Sequence, residues 1–277
     1  MRLLITGGSG YLGRHLVPIA LPDHKLVYTY FSQDPLARPE GVQLDLRDRD
    51  AVLRLVGDFR PNVIIHTAAS NRSADMERSI VDGTRYITEA ATANDARLIH
   101  MSTDVVFDGT QAPYAESAEP TPIHAYGRAK AAAELIVKQW HNHVIVRTSL
   151  IYGLDIMDNG TKWMVNALQA GEPVTLFANH LRNPVWAVSL SNALLELAHN
   201  DFTGMLNVAG EQEMTRAEFG AKMLDWWGVE GHKTISAEAD NSGRWPVDCR
   251  LDIAQAQAVL QTPLPSLDSV MIAVTRS

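Results

Sequence analysis

A doubly wound α/β fold, with a parallel central sheet covered by helices on both faces, is predicted by three observations. Short apolar, β-branched runs alternate with longer amphipathic segments through the first half of the chain. A glycine-rich turn, "LLITGGSGYLG" (residues 3–13), ends the first run and opens the first amphipathic segment. The 277 residues, 46% of them hydrophobic, suffice for one large α/β domain or for two lobes sharing a core.

Strands are expected at residues 2–5, 26–31, 42–44, 63–66, 98–102 and 144–148, where short apolar runs suit strands buried on both faces. Between them, residues 11–20, 48–58, 74–93 and 125–140 carry helical spacing and good helix formers. This βαβ order is Rossmann-type, and residues 1–153 read as a dinucleotide-binding domain. Beyond Gly153 the glycines and prolines cut the chain into short helices and loops. Residues 154–182 and 211–277 therefore read as a smaller, interleaved substrate-binding lobe. Residues 183–210 are expected to return to the first domain through strand-like pieces at 183–188 and 205–208.

The formal net charge of -8 argues against a nucleic-acid groove or an anionic membrane surface as the main partner. No segment approaches the ~20 uninterrupted apolar residues that span a bilayer, and the lone Cys249 suits a reducing compartment, so a cytoplasmic location is expected. Of the ten histidines, His141 and His143 stand two apart but lack a third ligand nearby, and no metal is expected. His66 and His100, in central strands, read as hydrogen-bonded core residues.

Two glycine registers coexist in the turn. Gly8, Gly10 and Gly13 fit GxGxxG, and Gly7, Gly10 and Gly13 fit the wider GxxGxxG. Either one permits a tight turn and lets backbone approach a pyrophosphate at the N-terminus of the helix that begins with Tyr11, Leu12 and Gly13. The second strand ends at Tyr30, without the acid that would bind a ribose 2′-hydroxyl, and Ser32 and Arg38 follow as candidates for a 2′-phosphate. NADPH is expected over NADH.

"AYGRAKAAAE" places Tyr126 and Lys130 on one helix face, where an ammonium is expected to lower the phenol's pKa and make Tyr126 a general acid. "HMSTDVVFDG" puts the Ser102 and Thr103 hydroxyls at the end of a central strand, where either would hold a substrate oxygen. In the second lobe, Trp226 and Trp227 read as core. Arg182 and Arg244 are candidates for diphosphate contacts.

The chain resembles the extended short-chain dehydrogenase/reductase family in "TGGSGYLG", "LDLRD", "RPNVIIHTAA", "STDVVFDG" and "YGRAK". In "STDVVFDG", "PYAE" and "RTSLIYG" it is most similar to the dTDP-4-dehydrorhamnose reductase branch. The resemblance covers the first 153 residues closely and the rest loosely. It implies that Thr103 and Tyr126 contact the carbonyl oxygen being reduced, and that Lys130 binds the nicotinamide ribose. It also implies that Asp45 and Leu46 hold the adenine, and that Ala68 and Ala69 line the cofactor path.

Two departures from the family pattern bear on mechanism. Ile80 stands where many relatives have an asparagine, so any bond that asparagine makes is either lost or supplied by another group such as Ser70 or Asn71. Val105 follows Asp104 where the related dehydratases have a second acid, which counts against water elimination. The function implied is NADPH-dependent reduction of the keto group of a nucleotide-linked sugar, with a homodimer as a compatible assembly. A non-catalytic regulatory subunit, like the beta subunit of methionine adenosyltransferase, and a nucleotide-sugar epimerase are the alternatives.

Overall fold

Seven parallel strands make the central sheet of the computed structural model, which describes residues 1–69, 75–229 and 236–275. In chain order the elements are β1 (Arg2–Thr6), α1 (Tyr11–Ala20), β2 (Lys25–Tyr30), β3 (Gly41–Gln43), α2 (Arg49–Phe59), β4 (Val63–His66), α3 (Met76–Ala93), β5 (Arg97–Met101), α4 (Ala125–Val137) and β6 (His143–Arg147). There follow β7 (Ile151–Tyr152), α5 (Asn159–Gln169), β8 (Thr175–Phe177), β9 (Leu181–Arg182), β10 (Val185–Trp186), α6 (Ala187–His199) and β11 (Gly204–Asn207). The chain closes with β12 (Met214–Thr215), α7 (Arg216–Trp226), β13 (Ser236–Glu238), α8 (Ala254–Val259) and α9 (Leu267–Thr275).

The strand order β11-β6-β5-β4-β1-β2-β3 reverses direction at β1, which pairs with β4 on one side and β2 on the other. Ligands in open α/β sheets sit at that switch, outside the carboxyl ends of the strands. Side chains alternate between two cores. Leu3, Ile5, Ile65, Ile99 and Val146 pack beneath α1 and α6, and Leu4, Ile64, Leu98 and Ile145 beneath α2, α3 and α4. Both faces are dry, so the strands read as unbroken apolar runs.

The strand-like segment at 183–188 does not join this sheet. Only Val185–Trp186 is extended, pairing with Ile151–Tyr152, and α6 begins at once with Ala187. The apolar residues that suggested a strand there continue into α6, whose Leu190, Leu194 and Leu197 belong to the core under α1. The second expected piece does join, as β11 beside β6. Helix α4 ends at Val137 rather than at residue 140, and Trp140 is buried with its indole N–H on the Ala96 carbonyl. Ser70 and Asn71 lie outside the described residues, as does the first residue of the helix expected from 74. Among the described residues, no helix is long and apolar enough to cross a membrane.

Candidate active site

A cleft of about 640 Å³ runs over the carboxyl ends of β1, β4 and β5. Its floor at one end is the glycine turn. Gly7 has φ +73°, and a Cβ there would come within 2.7 Å of Ala68 Cα. Gly7, Gly10, Tyr11, Leu12 and Gly13 line the cleft, whereas Gly8 packs against Tyr28. The wider GxxGxxG register is therefore the one facing the cleft. Helix α1 starts from Gly10 with no side-chain cap, leaving its first N–H groups to a ligand. The residues fit a dinucleotide pyrophosphate on these grounds alone.

Asp45, Leu46, Ala68 and Ala69 also line the cleft; Ser32 and Arg38 do not. Ser32 is exposed, and the Arg38 backbone N–H donates to Tyr28 Oη. The walls at this end are instead Tyr30, Phe31 and Arg47. The Arg47 guanidinium lies 5.4 Å from the Phe31 ring centroid and pairs with Asp45 at 2.8 Å and Asp75 at 2.7 Å. Sequence reasoning passed over Arg47. Its position directly after the "LDL" that carries Asp45 and Leu46 was the available signal.

At the other end Ser102, Thr103, Tyr126 and Lys130 converge. Helix α4 reaches this point because His124 caps it, its Nδ1 accepting from the Gly127 N–H at 3.0 Å. Gly127 lets it come close: a Cβ there would lie 2.2 Å from the Val105 carbonyl oxygen. A Gly127→Ala variant is expected to lose about 1–3 kcal/mol of stability by overpacking and to separate Tyr126 from Thr103. A lowered Tm together with lost turnover would register it, and an unchanged Tm would mean that α4 is not held this tightly.

The two hydroxyls at the end of β5 are not equivalent. Ser102 Oγ donates to buried Glu134 Oε1 at 2.5 Å, which leaves no proton for a substrate oxygen. Thr103 is half-buried and makes only a 3.2 Å bond to Asp104 Oδ1 and a 3.4 Å bond from the Val105 N–H. Thr103 is thus the hydroxyl with room for a carbonyl oxygen.

Tyr126 Oη has no hydrogen-bond partner among the described residues. Burial, then the Asp104 charge, pushes its pKa up to about 12. The expected lowering by Lys130 is absent because the ammonium points elsewhere, to the Met101 carbonyl at 2.5 Å and His100 Nε2 at 3.2 Å. Burial lowers the Lys130 pKa to about 8 against the raising effect of Glu134. At neutral pH the phenol is protonated and Lys130 carries its charge, which suits proton donation from Tyr126 to an oxygen gaining negative charge.

Asp104 is buried and held by Ser149 Oγ at 2.8 Å and Arg182 Nε at 3.3 Å. Arg182 in turn donates to the carbonyls of Leu181, Val247 and Pro246. Its guanidinium is committed to the protein, so it is not a diphosphate ligand. The Arg244 side chain makes no interaction among the described residues. Trp226 and Trp227 pack against the core formed by Tyr152, Phe219 and Met223, and Cys249 is fully buried. Trp245 is 51% exposed, and its ring is 5.1 Å from that of His124, itself stacked 6.3 Å from Tyr126.

The family model described as the RmlD substrate binding domain matches residues 1–275. The chain belongs to this family. Among its relatives, a dTDP-4-keto-6-deoxy-D-glucose reductase of Streptomyces niveus is 35% identical over 224 residues, covering 77% of this chain and 74% of that protein. A probable low-salt glycan biosynthesis reductase of Haloferax volcanii is 29% identical over 99% of this chain and 97% of its own length. A hypothetical dTDP-4-dehydrorhamnose reductase from Sulfolobus tokodaii has a crystal structure that superposes with a TM-score of 0.84 at 29% identity, covering 97% of this chain and 98% of that one. The shared fold places the family's Rossmann-type sheet under the cleft described above.

Proposed function

We propose that this member of the family is an NADPH-dependent oxidoreductase that reduces the keto group of a nucleotide-linked sugar, in the manner of a dTDP-4-dehydrorhamnose reductase. One observation carries the reading: a single cleft joins the glycine turn to the Thr103, Tyr126 and Lys130 cluster. A cofactor lying along it would bring its reactive end to the free phenol. The relatives named as reductases of such sugars support the same reading.

In the proposed mechanism, the carbonyl carbon would accept the hydride that NADPH supplies when bound. Gly7, Gly10, Gly13 and the start of α1, which line the cleft, would hold its pyrophosphate, and Asp45 and Leu46 would border its adenine. Thr103 Oγ1 orients the carbonyl oxygen, and Tyr126 Oη donates the proton that oxygen needs as charge develops. Lys130 has two of its N–H bonds anchored in the protein and lines the cleft, where its third would be free to stabilise negative charge. NADPH is favoured over NADH because β2 ends at Tyr30 and Phe31 follows it, with no acid to repel a 2′-phosphate. Asp45 is paired with Arg47, which neutralises the nearest carboxylate.

The test is to follow NADPH absorbance on mixing the protein with dTDP-4-dehydrorhamnose, with NADH in a parallel reaction. Consumption of NADPH faster than NADH is the expected result. Binding of NADPH without consumption would overturn the assignment in favour of the non-catalytic reading, and tightly retained NAD with no net turnover would favour an epimerase.

A further inference from the structure

The interior side of Lys130 holds a group that the proposed mechanism does not use. His100 follows Leu98 on the face of β5 that packs beneath α3 and α4, and it is fully buried. Its Nε2 lies 3.2 Å from Lys130 Nζ, and Lys130 itself is only 2% exposed. An ammonium has donors and no acceptor, so Nε2 must accept and the imidazole proton must sit on Nδ1. That Nδ1 is buried and has no partner among the described residues. A buried N–H without an acceptor costs about 1–3 kcal/mol, so packing alone gives no reason for a histidine in this slot.

The arrangement makes sense if the acceptor at Nε2 is what matters. Lys130 has three N–H bonds to place, and Met101 O and His100 Nε2 take two from the protein side. Lys130 also lines the cleft, so the third is left for whatever occupies it. We propose that His100 is a positioning residue for Lys130, its neutral Nδ1–H tautomer accepting from the ammonium and so fixing the direction and the charge of the third N–H. This rests on the proposed role of Lys130 beside Tyr126.

The surrounding charges agree. On β4, the His66 ring lies 5.1 Å from that of His100, tilted by 35°, and is kept neutral, its pKa pushed down to about 3 by burial and by the Lys130 charge. Its two nitrogens are occupied by Thr6 Oγ1 at 2.6 Å and, from α3, Thr84 Oγ1 at 3.2 Å. Burial, Lys130 and His66 together hold the His100 pKa well below that of a free imidazole. On α4, Glu134 favours the Lys130 charge but is itself neutralised by Arg147, and Tyr126 faces the cleft. His100 is therefore the neutral acceptor on the protein side, and losing it destabilises the ammonium.

The decisive measurement is the tautomer of His100, read from imidazole nitrogen shifts in protein labelled with ¹⁵N-histidine and assigned by the signal lost in His100→Gln. The expected result is an Nδ1–H tautomer at neutral pH whose nitrogen shifts move as Lys130 deprotonates near pH 8, with the movement abolished in Lys130→Met. An Nε2–H tautomer at neutral pH, or a transition unaffected by Lys130→Met, would overturn the proposal. In turnover assays, His100→Leu should move the alkaline limb of kcat about one unit towards lower pH, about a tenfold loss on that limb. His100→Gln, which keeps an acceptor, should restore it, and equal limbs in both variants would count against the role. If the wild-type protein reduces no keto sugar, the reductase reading fails while the tautomer measurement still decides this one.

Discussion

Tyr126→Phe is expected to lower kcat for the keto sugar by about 10²–10⁴-fold, the usual contribution of a positioned general acid. The substitution keeps the ring, which packs against a small buried cluster of Ile80, Ala129 and Ala133 and stacks on His124. Only the O–H is removed, and it has no partner among the described residues, so neither fold nor cofactor affinity should change much. NADPH binding followed by fluorescence supplies that control. The phenol's pKa, pushed up to about 12, keeps Tyr126 protonated across the neutral range and predicts no limb from it there. Lys130 is different. Its charge is present below about pH 8 and is lost as pH rises through that value, so the wild-type profile should fall on the alkaline side with an apparent pKa close to 8. A phenylalanine variant with turnover within about threefold of wild type would remove Tyr126 from the role of proton donor.

Breaking the Glu134–Arg147 pair should produce the largest loss of stability. Both side chains are 1% exposed, with Arg147 NH2 2.8 Å from Glu134 Oε2 and Arg147 Nε 3.0 Å from Oε1. Ser102 Oγ completes the carboxylate's partners, and the guanidinium lies 4.9 Å from the Phe107 ring centroid while donating to the carbonyls of Glu116 and Ala118. Removing one member leaves a buried charge uncompensated, at a cost of about 3–5 kcal/mol. In a chain of this size, Arg147→Met or Glu134→Leu should therefore lower Tm by about 6–20 °C. The double variant should recover a large part of that loss, because two apolar groups pack without leaving an unpaired charge. Single variants within about 1 kcal/mol of wild type would show that the pair is not the clamp between α4, β5 and β6 that its contacts describe.

The expected sheet strands lie within a residue or two of those observed, because each is a short apolar run bounded by turn residues, and a sheet buried on both faces leaves little freedom in register. The glycine turn and the Tyr126–Lys130 spacing were legible for a related reason: both are local patterns within a turn or two of backbone. Residues 183–188 misled because apolar residues entering a helix resemble a strand until the helical period has had room to repeat. The adenine end was harder still. Ser32 and Arg38 follow β2 in sequence but do not line the cleft, and Arg47 enters it from beyond β3.

The sequence by itself determined the parallel α/β architecture, the glycine-rich turn after β1 and the residue types gathered at the far end of the cleft, since these depend on periodicity and short-range spacing. The tertiary structure decided what long-range contacts and burial control. It set which glycine register faces the cleft, through the approach of Gly7 to Ala68. It bound the Ser102 hydroxyl to Glu134 and left Thr103 available. It turned Lys130 towards His100 and Met101 instead of the phenol, so that burial and Asp104, rather than a neighbouring ammonium, govern the acidity of Tyr126. A pKa reflects the dielectric and the charges around a group, and those come from strands and helices far apart in the chain.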